Sequence, residues 1–127
     1  MAALPLGGLV PMAHVVDVGR SIDFYGQLGF ETRNKLEQDR QIFWAWLTNG
    51  KAHLMLSRAD GAVNAGEQAV LFYLYAPDVA SYRAELAARG IKVGPIIYPF
   101  YMPEGEFRID DPDGYCLLVG QTDTVSL

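Results

Sequence analysis

The side chains that could carry out chemistry in this chain are few and widely separated. The sequence holds two histidines, His14 and His53, and one cysteine, Cys116. One cysteine excludes an intrachain disulfide and a cysteine-based zinc site. The acidic stretch at 110–113 lacks the spacing of an EF-hand loop, so we expect a solvated turn there and not a calcium site. A glycine-rich phosphate loop and a Gly-x-Ser-x-Gly elbow are also absent from the sequence, which therefore shows no complete catalytic motif.

Aromatic residues form the more informative pattern. Trp44 alternates with Trp46 and Tyr73 with Tyr75, and the segment 98–103 (YPFYMP) holds three more aromatic rings. Rigid aromatic faces with polar tips stack well against planar molecules, and they also attract cations. Core packing and contact with a second subunit would explain the same residues, so the pattern leaves these interpretations open.

Composition limits the possible partners. The 127 residues are 50% hydrophobic and carry a net charge of −5, which excludes disorder as the main description and argues against nucleic acid and anionic membranes. Apolar runs are too short for a transmembrane helix. The start, MAALPLGG, lacks the features of a signal peptide, and the single cysteine suits a reducing compartment. We therefore expect a cytoplasmic protein without nucleic-acid or membrane partners.

The elements that must position these residues occur in two similar series. The first comprises a strand at 9–16, a helix capped by Asp17 and ended by Gly29, and strands at 30–36, 41–47 and 52–57, the last two joined by an Asn-Gly hairpin at 49–50. A polar linker at 58–68 follows. The second comprises a strand at 70–76, a helix from Asp78 to Gly90, and strands at 91–98, 107–110 and 115–120, with a turn at 111–114.

The two series are related by a shift of 61 residues, which superimposes Asp17 on Asp78 and Gly29 on Gly90. The glycines of the two hairpins, Gly50 and Gly114, differ by 64. This internal repeat predicts an α+β fold of two βαβββ modules within one domain, residues 1–127, with modules at about 9–57 and 69–121. One module of about 60 residues buries too little surface to be stable alone. We therefore expect the open sheet faces to be covered by the other module, a second chain or a ligand.

The repeat resembles the glyoxalase / bleomycin-resistance / extradiol-dioxygenase superfamily, also called vicinal oxygen chelate proteins. The matching segments are DVGRSIDFY at 17–25, LGF at 28–30, Asp78-Val79 with Arg89-Gly90, and DPDGY at 111–115. The resemblance covers about residues 9–121. It implies sheets that curl into an open cavity, helices on the outer face, and a homodimer.

Most enzymes of this superfamily hold a divalent metal through His, Gln or Glu at four positions. By the resemblance these positions fall on Val10, Met55, Leu71 and Leu118, all of which are apolar. Metal ions of this kind require nitrogen or oxygen donors. We therefore predict that the chain has no metal or other cofactor, as in the bleomycin-resistance branch, whose members bind a drug without transforming it.

The same four positions imply which side chains face the cavity, because neighbours alternate along a strand. His14, Tyr73 and Tyr75 would then face inward. The resemblance implies the same for Trp44 and Trp46, because the superfamily's stacking aromatic aligns with Trp44. The residues that would face the helices are Phe43, Ala45, Leu47, Phe72, Leu74, Phe107 and Ile109. The loop at 98–103, with Tyr98, Phe100 and Tyr101, would form a further wall.

The polar residues of this cavity have several interpretations. His14 could be a polar anchor, a structural residue or, less simply, a general base. With Val10 level with Met55, His14 and His53 would lie about 20 Å apart, too far to share an ion. Arg108 faces inward beside Glu106; a salt bridge between them is the simplest interpretation, and an unpaired Arg108 would favour an anionic ligand. We expect Cys116 to be inert packing.

These observations predict a protein that binds and sequesters a planar aromatic, possibly cationic, small molecule without covalent chemistry. The expected ligand-binding residues are His14, Trp44, Trp46, Tyr73, Tyr75, Tyr98, Phe100, Tyr101 and Arg108, with no catalytic residue. The alternative is a glyoxalase-like lyase or dioxygenase-type metalloenzyme with displaced catalytic residues, His14 or Arg108 among them. A third possibility is a structural or regulatory protein with a collapsed cavity.

Overall fold

The chain alternates short strands with two ten-residue helices. The computed structural model describes residues 4–122, apart from the side chain of Ala65. The elements are β1 (Met12–Val15), α1 (Val18–Gln27), β2 (Glu31–Gln38), β3 (Gln41–Asn49), β4 (Ala52–Arg58), a 3-10 turn (Ala65–Glu67), β5 (Leu71–Ala76), α2 (Val79–Ala88), β6 (Glu106–Asp110) and β7 (Cys116–Gln121). In the described part of the chain, no helix is long and apolar enough to cross a membrane.

Both helices begin where the sequence predicts them. The carboxylate of Asp17 accepts a hydrogen bond from the backbone N–H of Arg20 (3.1 Å), and that of Asp78 accepts one from Ser81 (3.0 Å). These bonds satisfy N–H groups that have no partner inside a helix. They also hold the pKa of the Asp78 carboxyl below its usual value, mainly through the Ser81 backbone and hydroxyl. The predicted capping roles of both aspartates are confirmed.

The strands form two open mixed sheets. The first has the order β1-β4-β3-β2, and the second has the order β5-β7-β6. Strands β1 and β5 each pair in parallel with the last strand of their own half, which is the arrangement that a βαβ connection requires. The predicted α+β class with two related halves is confirmed, although the sheets do not close into a barrel.

The strand predicted at 91–98 is wrong. Only Ile97 forms a β-bridge there, with Glu106. Pro95 has no N–H to donate to a ladder, which prevents a continuous strand across the middle of this segment. The backbone of Gly94 is held by Arg108 on β6 (2.9 Å) and by the Arg83 side chain of α2 (2.7 Å). The second sheet therefore has three strands where the first has four.

One hydrophobic core lies beneath both helices and joins the halves. It contains Ala45 and Leu47 from the first sheet and Phe107 and Ile109 from the second, all at most 1% exposed. Tyr25 of α1 is completely buried among them. The predicted alternation on β3 and β6 is therefore confirmed for these residues, and the helices and core occupy one side of each sheet.

Asp111 and Asp113 of the turn at 111–114 are buried, contrary to the solvated turn expected from the sequence, whereas Pro112 between them is exposed. Asp111 and Asp113 are each 5% exposed. Asp111 accepts hydrogen bonds from the Tyr25 hydroxyl (2.7 Å) and from two backbone N–H groups of its own turn (2.8 and 2.9 Å). Asp113 accepts one from the Val16 backbone (2.9 Å), and the Arg20 guanidinium lies 3.5 Å away. The turn belongs to the second half of the chain and is hydrogen-bonded to residues of the first half. No pattern in the sequence indicated this role.

Two irregularities change the predicted register of the first sheet. Met12, and not Val10, pairs with Met55, so β1 is shifted by two residues. The β2–β3 ladder skips Arg33 and Phe43, which marks a bulge at each. As a result Ile42 packs against the core, and Phe43 is half-buried outside it, contrary to the prediction that it faces the helix.

Candidate functional site

A cavity of about 770 Å³ lies between the two halves. Residues 49–52 of the β3–β4 hairpin form one side, and residues 73–77 of β5 form the other. Its aromatic lining residues are Phe30, Tyr73, Tyr75 and Tyr82. Of the described residues that line it, none is a carboxylate, an imidazole or a thiol, whereas Lys51 and Thr122 supply polar groups at the surface. The size and the mainly apolar lining suit a drug-sized molecule.

Tyr73 is held in a defined position in this cavity. Its ring lies against Gly120 of β7, where an added Cβ would come within 2.9 Å of the tyrosine ring and hydroxyl. Its hydroxyl donates to Oε1 of Glu106 (3.0 Å), a side chain that is only 2% exposed. Burial, the hydrogen bond and the charge of Glu106 all raise the pKa of Tyr73. The Tyr75 ring lies beside Tyr73, 5.1 Å between centroids, so the two rings form one aromatic wall.

The loop at 98–103 begins beside this wall but is largely exposed. Phe100 is 96% exposed, and Tyr98 and Tyr101 are also exposed. Partial desolvation raises the pKa of Tyr101, and its hydrogen bond with Glu106 and the charge of that carboxylate raise it further. The loop therefore approaches the same carboxylate as Tyr73, but Tyr98, Phe100 and Tyr101 do not line the cavity.

Arg108 and Cys116 occupy the far end of the second sheet's open face. The Arg108 guanidinium pairs with Asp110 (2.9 Å), and this exposed pair raises the pKa of the arginine. The expected Arg108–Glu106 salt bridge is therefore wrong, since Glu106 is bonded by tyrosines. Cys116 is buried, and burial raises the pKa of its thiol, which opposes the reactive thiolate form.

The two tryptophans lie on the open face of the first sheet and not in the cavity. Trp44 pairs across the strands with Ser57, and Trp46 pairs with Met55; both indoles are half-buried. The indole N–H of Trp46 donates to Nδ1 of His53 (3.1 Å). The guanidinium carbon of Arg33 lies 4.5 Å from the centroid of the Trp46 ring. Tryptophans and tyrosines thus form two separate aromatic regions, one on each sheet.

His14 is exposed on the same face as Trp44. It pairs with Ser57 on β4, four residues from His53 along that strand. At about 3.3 Å per residue the two histidines lie roughly 13 Å apart, less than the 20 Å expected because the β1 register differs. The conclusion that they cannot share one ion is unchanged.

The superfamily's metal does not fit this chain. Of its four ligand positions, Met55 lies on the open face of the first sheet, Leu71 is 56% exposed on the second, and Val10 and Leu118 are half-buried. Within residues 4–122, no three His, Cys, Asp or Glu side chains gather closely enough to hold an ion. Hydrocarbon and thioether at these positions offer no adequate donor set.

Two residues of these regions were missed in the sequence. Glu106 was treated only as a salt-bridge partner, because its burial depends on Tyr73 and on the packing of Met102 near Gly120. Arg33 gave no signal, because it reaches the Trp46 ring only through the bulge in β2. A bulge leaves no mark in a simple alternating pattern.

Comparison with known proteins agrees with this architecture. A bleomycin resistance determinant encoded on transposon Tn5 superimposes with a TM-score of 0.77 at 18% identity, covering 94% of this chain and 100% of that one. A bleomycin-binding protein from Streptomyces verticillus, solved with copper(II)-bleomycin, gives 0.72 at 22% identity, covering 94% and 99%. TnmS3, an antibiotic-binding protein from Streptomyces sp. CB03234, gives 0.72 at 20%, covering 94% and 98%. The sequence matches no curated protein.

These structural likenesses are below 25% identity and concern the fold. The sequence itself supplies the classification, since residues 11–118 match the family model described as Glyoxalase/Bleomycin resistance protein/Dioxygenase superfamily. The match includes both sheets and both helices except the last residues of β7. The duplicated strand–helix pattern, the two open sheets and this match together place the chain in the glyoxalase / bleomycin-resistance / dioxygenase superfamily.

Proposed function

We propose that this protein binds and sequesters a planar aromatic small molecule without covalent chemistry. The observation that carries the proposal is the 770 Å³ cavity with its wall of Tyr73 and Tyr75. An aromatic wall whose rings are fixed in place loses little conformational freedom when a flat molecule stacks on it. The antibiotic-binding function of the structural relatives supports the same class of activity.

The expected affinity follows from a few contacts. Each stacked ring contributes about 0.5–1.5 kcal/mol beyond the burial of its area. Two such contacts together with the enclosure of the cavity are consistent with micromolar binding, about −8 kcal/mol. A cationic group on the ligand would be attracted to the tyrosine faces.

Binding is favoured over an enzymatic role by the chemistry of the described lining. Lyase chemistry on a carbonyl compound uses a general base and an electrophile. Burial raises the pKa of Tyr73 and Tyr82, so their hydroxyls stay protonated and supply no phenolate base near neutral pH, and Glu106 is enclosed behind Tyr73. His14 and Arg108, the candidates for displaced catalytic residues, do not line it.

We further propose that the protein acts as a homodimer in the cytoplasm. Apolar side chains are exposed on both open faces, including Met12 (53%) and Leu36 (48%) on the first and Leu71 (56%) on the second. Strands β1 and β5 are edge strands in their sheets. Exposed apolar faces and edge strands both favour association with another chain. A second copy of this protein would cover them.

A binding experiment with matched variants tests the proposed function. Proflavine and anthracene-2-carboxylate, two three-ring planar dyes of opposite charge, are titrated with protein and followed by fluorescence anisotropy. At least one is expected to bind with a micromolar Kd, and Tyr75→Ala is expected to weaken it about fivefold through loss of one stacked ring. Phe100→Ala is the control, since Phe100 does not line the cavity.

Two results would contradict the proposal. One is the failure of both dyes, and of a wider panel of planar aromatics, to bind at 100 μM protein (about −5.5 kcal/mol or weaker). The other is turnover of a carbonyl substrate with added Ni²⁺, Zn²⁺, Mn²⁺ or Fe²⁺, which would support the enzymatic alternative.

A further inference from the structure

We infer that Arg33 makes the Trp46 region of the first sheet selective for aromatic anions and against aromatic cations. The inference goes beyond the proposed function, because the Trp46 region lies outside the cavity that carries it, and it assigns a charge class to the ligand of this second aromatic region. It reverses the cationic preference that the tryptophans suggested from the sequence alone.

The first observation is that the Trp46 ring already has a cation. The guanidinium carbon of Arg33 lies 4.5 Å from the ring centroid, well within the range of a cation–π contact. A cationic ligand would have to displace this group from that face of the indole, or bind beside it and be repelled. An anionic ligand meets a guanidinium that is planar, always charged and suited to bidentate contact with a carboxylate.

The second observation concerns the hydrogen bond at the edge of the same indole. Because Trp46 Nε1–H donates to His53 Nδ1 (3.1 Å), that nitrogen carries no proton, and the hydrogen of the neutral imidazole is on Nε2. The indole N–H is therefore used within the protein, and His53 offers a donor rather than an acceptor. Arg33 and His53 together present donors, which complement the oxygens of a carboxylate or sulfonate.

Two titratable groups lie at the ends of this face, and Asp23 of α1 lines a shallow depression together with Arg33 and Lys35. Glu31 pairs with Thr48 at the hairpin end, and His14 pairs with Ser57 at the opposite end. Lys35 is two residues from Arg33 and forms an exposed ion pair with Glu37 (3.5 Å). Arg33 is therefore the cation that contacts Trp46. Lys35 carries the same charge nearby but pairs with Glu37, so it can serve as a control.

This arrangement supplies a matched experiment. Kd values for anthracene-2-carboxylate and proflavine are measured by quenching of tryptophan fluorescence, which reports the first sheet because Trp44 and Trp46 are the two tryptophans of the sequence. The proteins compared are the wild type, Arg33→Gln and Lys35→Gln, which remove one positive charge each. Arg33→Gln is expected to weaken the anion and strengthen the cation, changing the ratio of the two Kd values by about three- to tenfold. Lys35→Gln is expected to change the ratio less than twofold. Thermal unfolding of each variant checks that the fold is intact.

A second comparison tests whether the effect acts through the indole. In a Trp46→Phe background, the same Arg33→Gln change is expected to alter the ratio much less, because its partner in the interaction is weakened. The inference is overturned if Arg33→Gln and Lys35→Gln change the ratio equally, or if the Arg33 effect is undiminished without Trp46. Failure of both dyes to bind the wild type in the anisotropy titration would instead reject the proposed function, whereas binding in that titration without quenching of tryptophan fluorescence would overturn this inference alone.

Discussion

The open faces of the two sheets differ in which side chains cover them and in what holds those side chains in place. On the second sheet, the Tyr73 ring crosses a glycine to reach the buried Glu106, and Met102 approaches the same glycine. On the first sheet, the tryptophans are half-buried, and Arg33 and His53 contact Trp46. Two halves related by a repeat have therefore acquired one face organised around a buried carboxylate and one organised around a cation.

The helices show the same divergence at equivalent positions. With the shift of 61 residues, Ser21 corresponds to Tyr82 and Tyr25 to Leu86. The large tyrosine is thus on the second turn of α1 but on the first turn of α2. Tyr25 donates to Asp111 in the other half, and Tyr82 donates to the Leu28 carbonyl in the other half (2.6 Å). The repeat preserves the backbone plan, whereas the contacts between the halves depend on where the halves differ.

Charged substitutions on the two faces test which of them a second copy covers. Met12→Asp on the first face and Leu71→Asp on the second replace side chains of similar exposure, 53% and 56%. Burying an unpaired carboxylate is costly, so each is expected to weaken dimerisation at least about a hundredfold, as measured by sedimentation equilibrium. An effect of only one variant would assign the interface to that face alone. A wild-type protein that is monomeric at 100 μM would contradict the proposed dimer.

Because the Tyr73 ring lies against Gly120, alanine substitution is expected to affect stability differently at Gly120 and at Gly26. A Cβ at Gly120 would lie 2.8 Å from the Met102 methyl and 2.9 Å from the Tyr73 ring, so Gly120→Ala is expected to cost about 1–3 kcal/mol of unfolding free energy. Gly26 in α1 has open space around it, and Gly26→Ala is expected to stabilise by about 0.5–1 kcal/mol. Urea unfolding measures both. Equal effects would show that Tyr73 does not require the glycine.

The burial of Tyr25 predicts that the free energy of unfolding depends on pH at high pH. Burial raises its pKa above the usual value near 10, and Asp111 raises it further. The folded protein therefore retains this proton where the unfolded chain has lost it. Its contribution to stability is complete below about pH 10 and is lost as the pH rises, by about 1.4 kcal/mol per pH unit.

Urea unfolding between pH 8 and 11 measures this loss. Tyr25→Phe should be less stable at neutral pH but should lose less stability per pH unit above pH 10. Tyr98→Phe is the control, because Tyr98 is exposed and outside the core. An unchanged slope in Tyr25→Phe would contradict the assignment.

Local patterns predicted most of the elements. The capping aspartates, the Asn-Gly hairpin and the apolar alternation were sufficient to place both helices and all seven observed strands within a few residues, with an eighth strand predicted in addition. The strand predicted at 91–98 failed because its apolar run obscured the effect of Pro95. The β1 register failed because it was taken from the superfamily's metal positions, which carry apolar residues in this chain.

The site was less predictable because its geometry depends on contacts between segments that are distant in sequence. Tyr73 and Tyr75 could be assigned to one face from alternation, and both line the cavity. The cavity's other side, formed by the hairpin of the first half, could not be predicted without knowing how the halves pack. Nor could the burial of Asp111 and Asp113, which depends on α1 lying against their turn.

That turn has a consequence for the independence of the halves. Its carboxylates accept from Val16 and Tyr25, so each half completes the polar contacts of the other. A chain cut in the segment between β4 and β5 would yield two fragments, each with unsatisfied groups and an exposed core. Such fragments would be poorly folded apart yet complementary when mixed, which makes this small protein a natural candidate for reconstitution from two pieces.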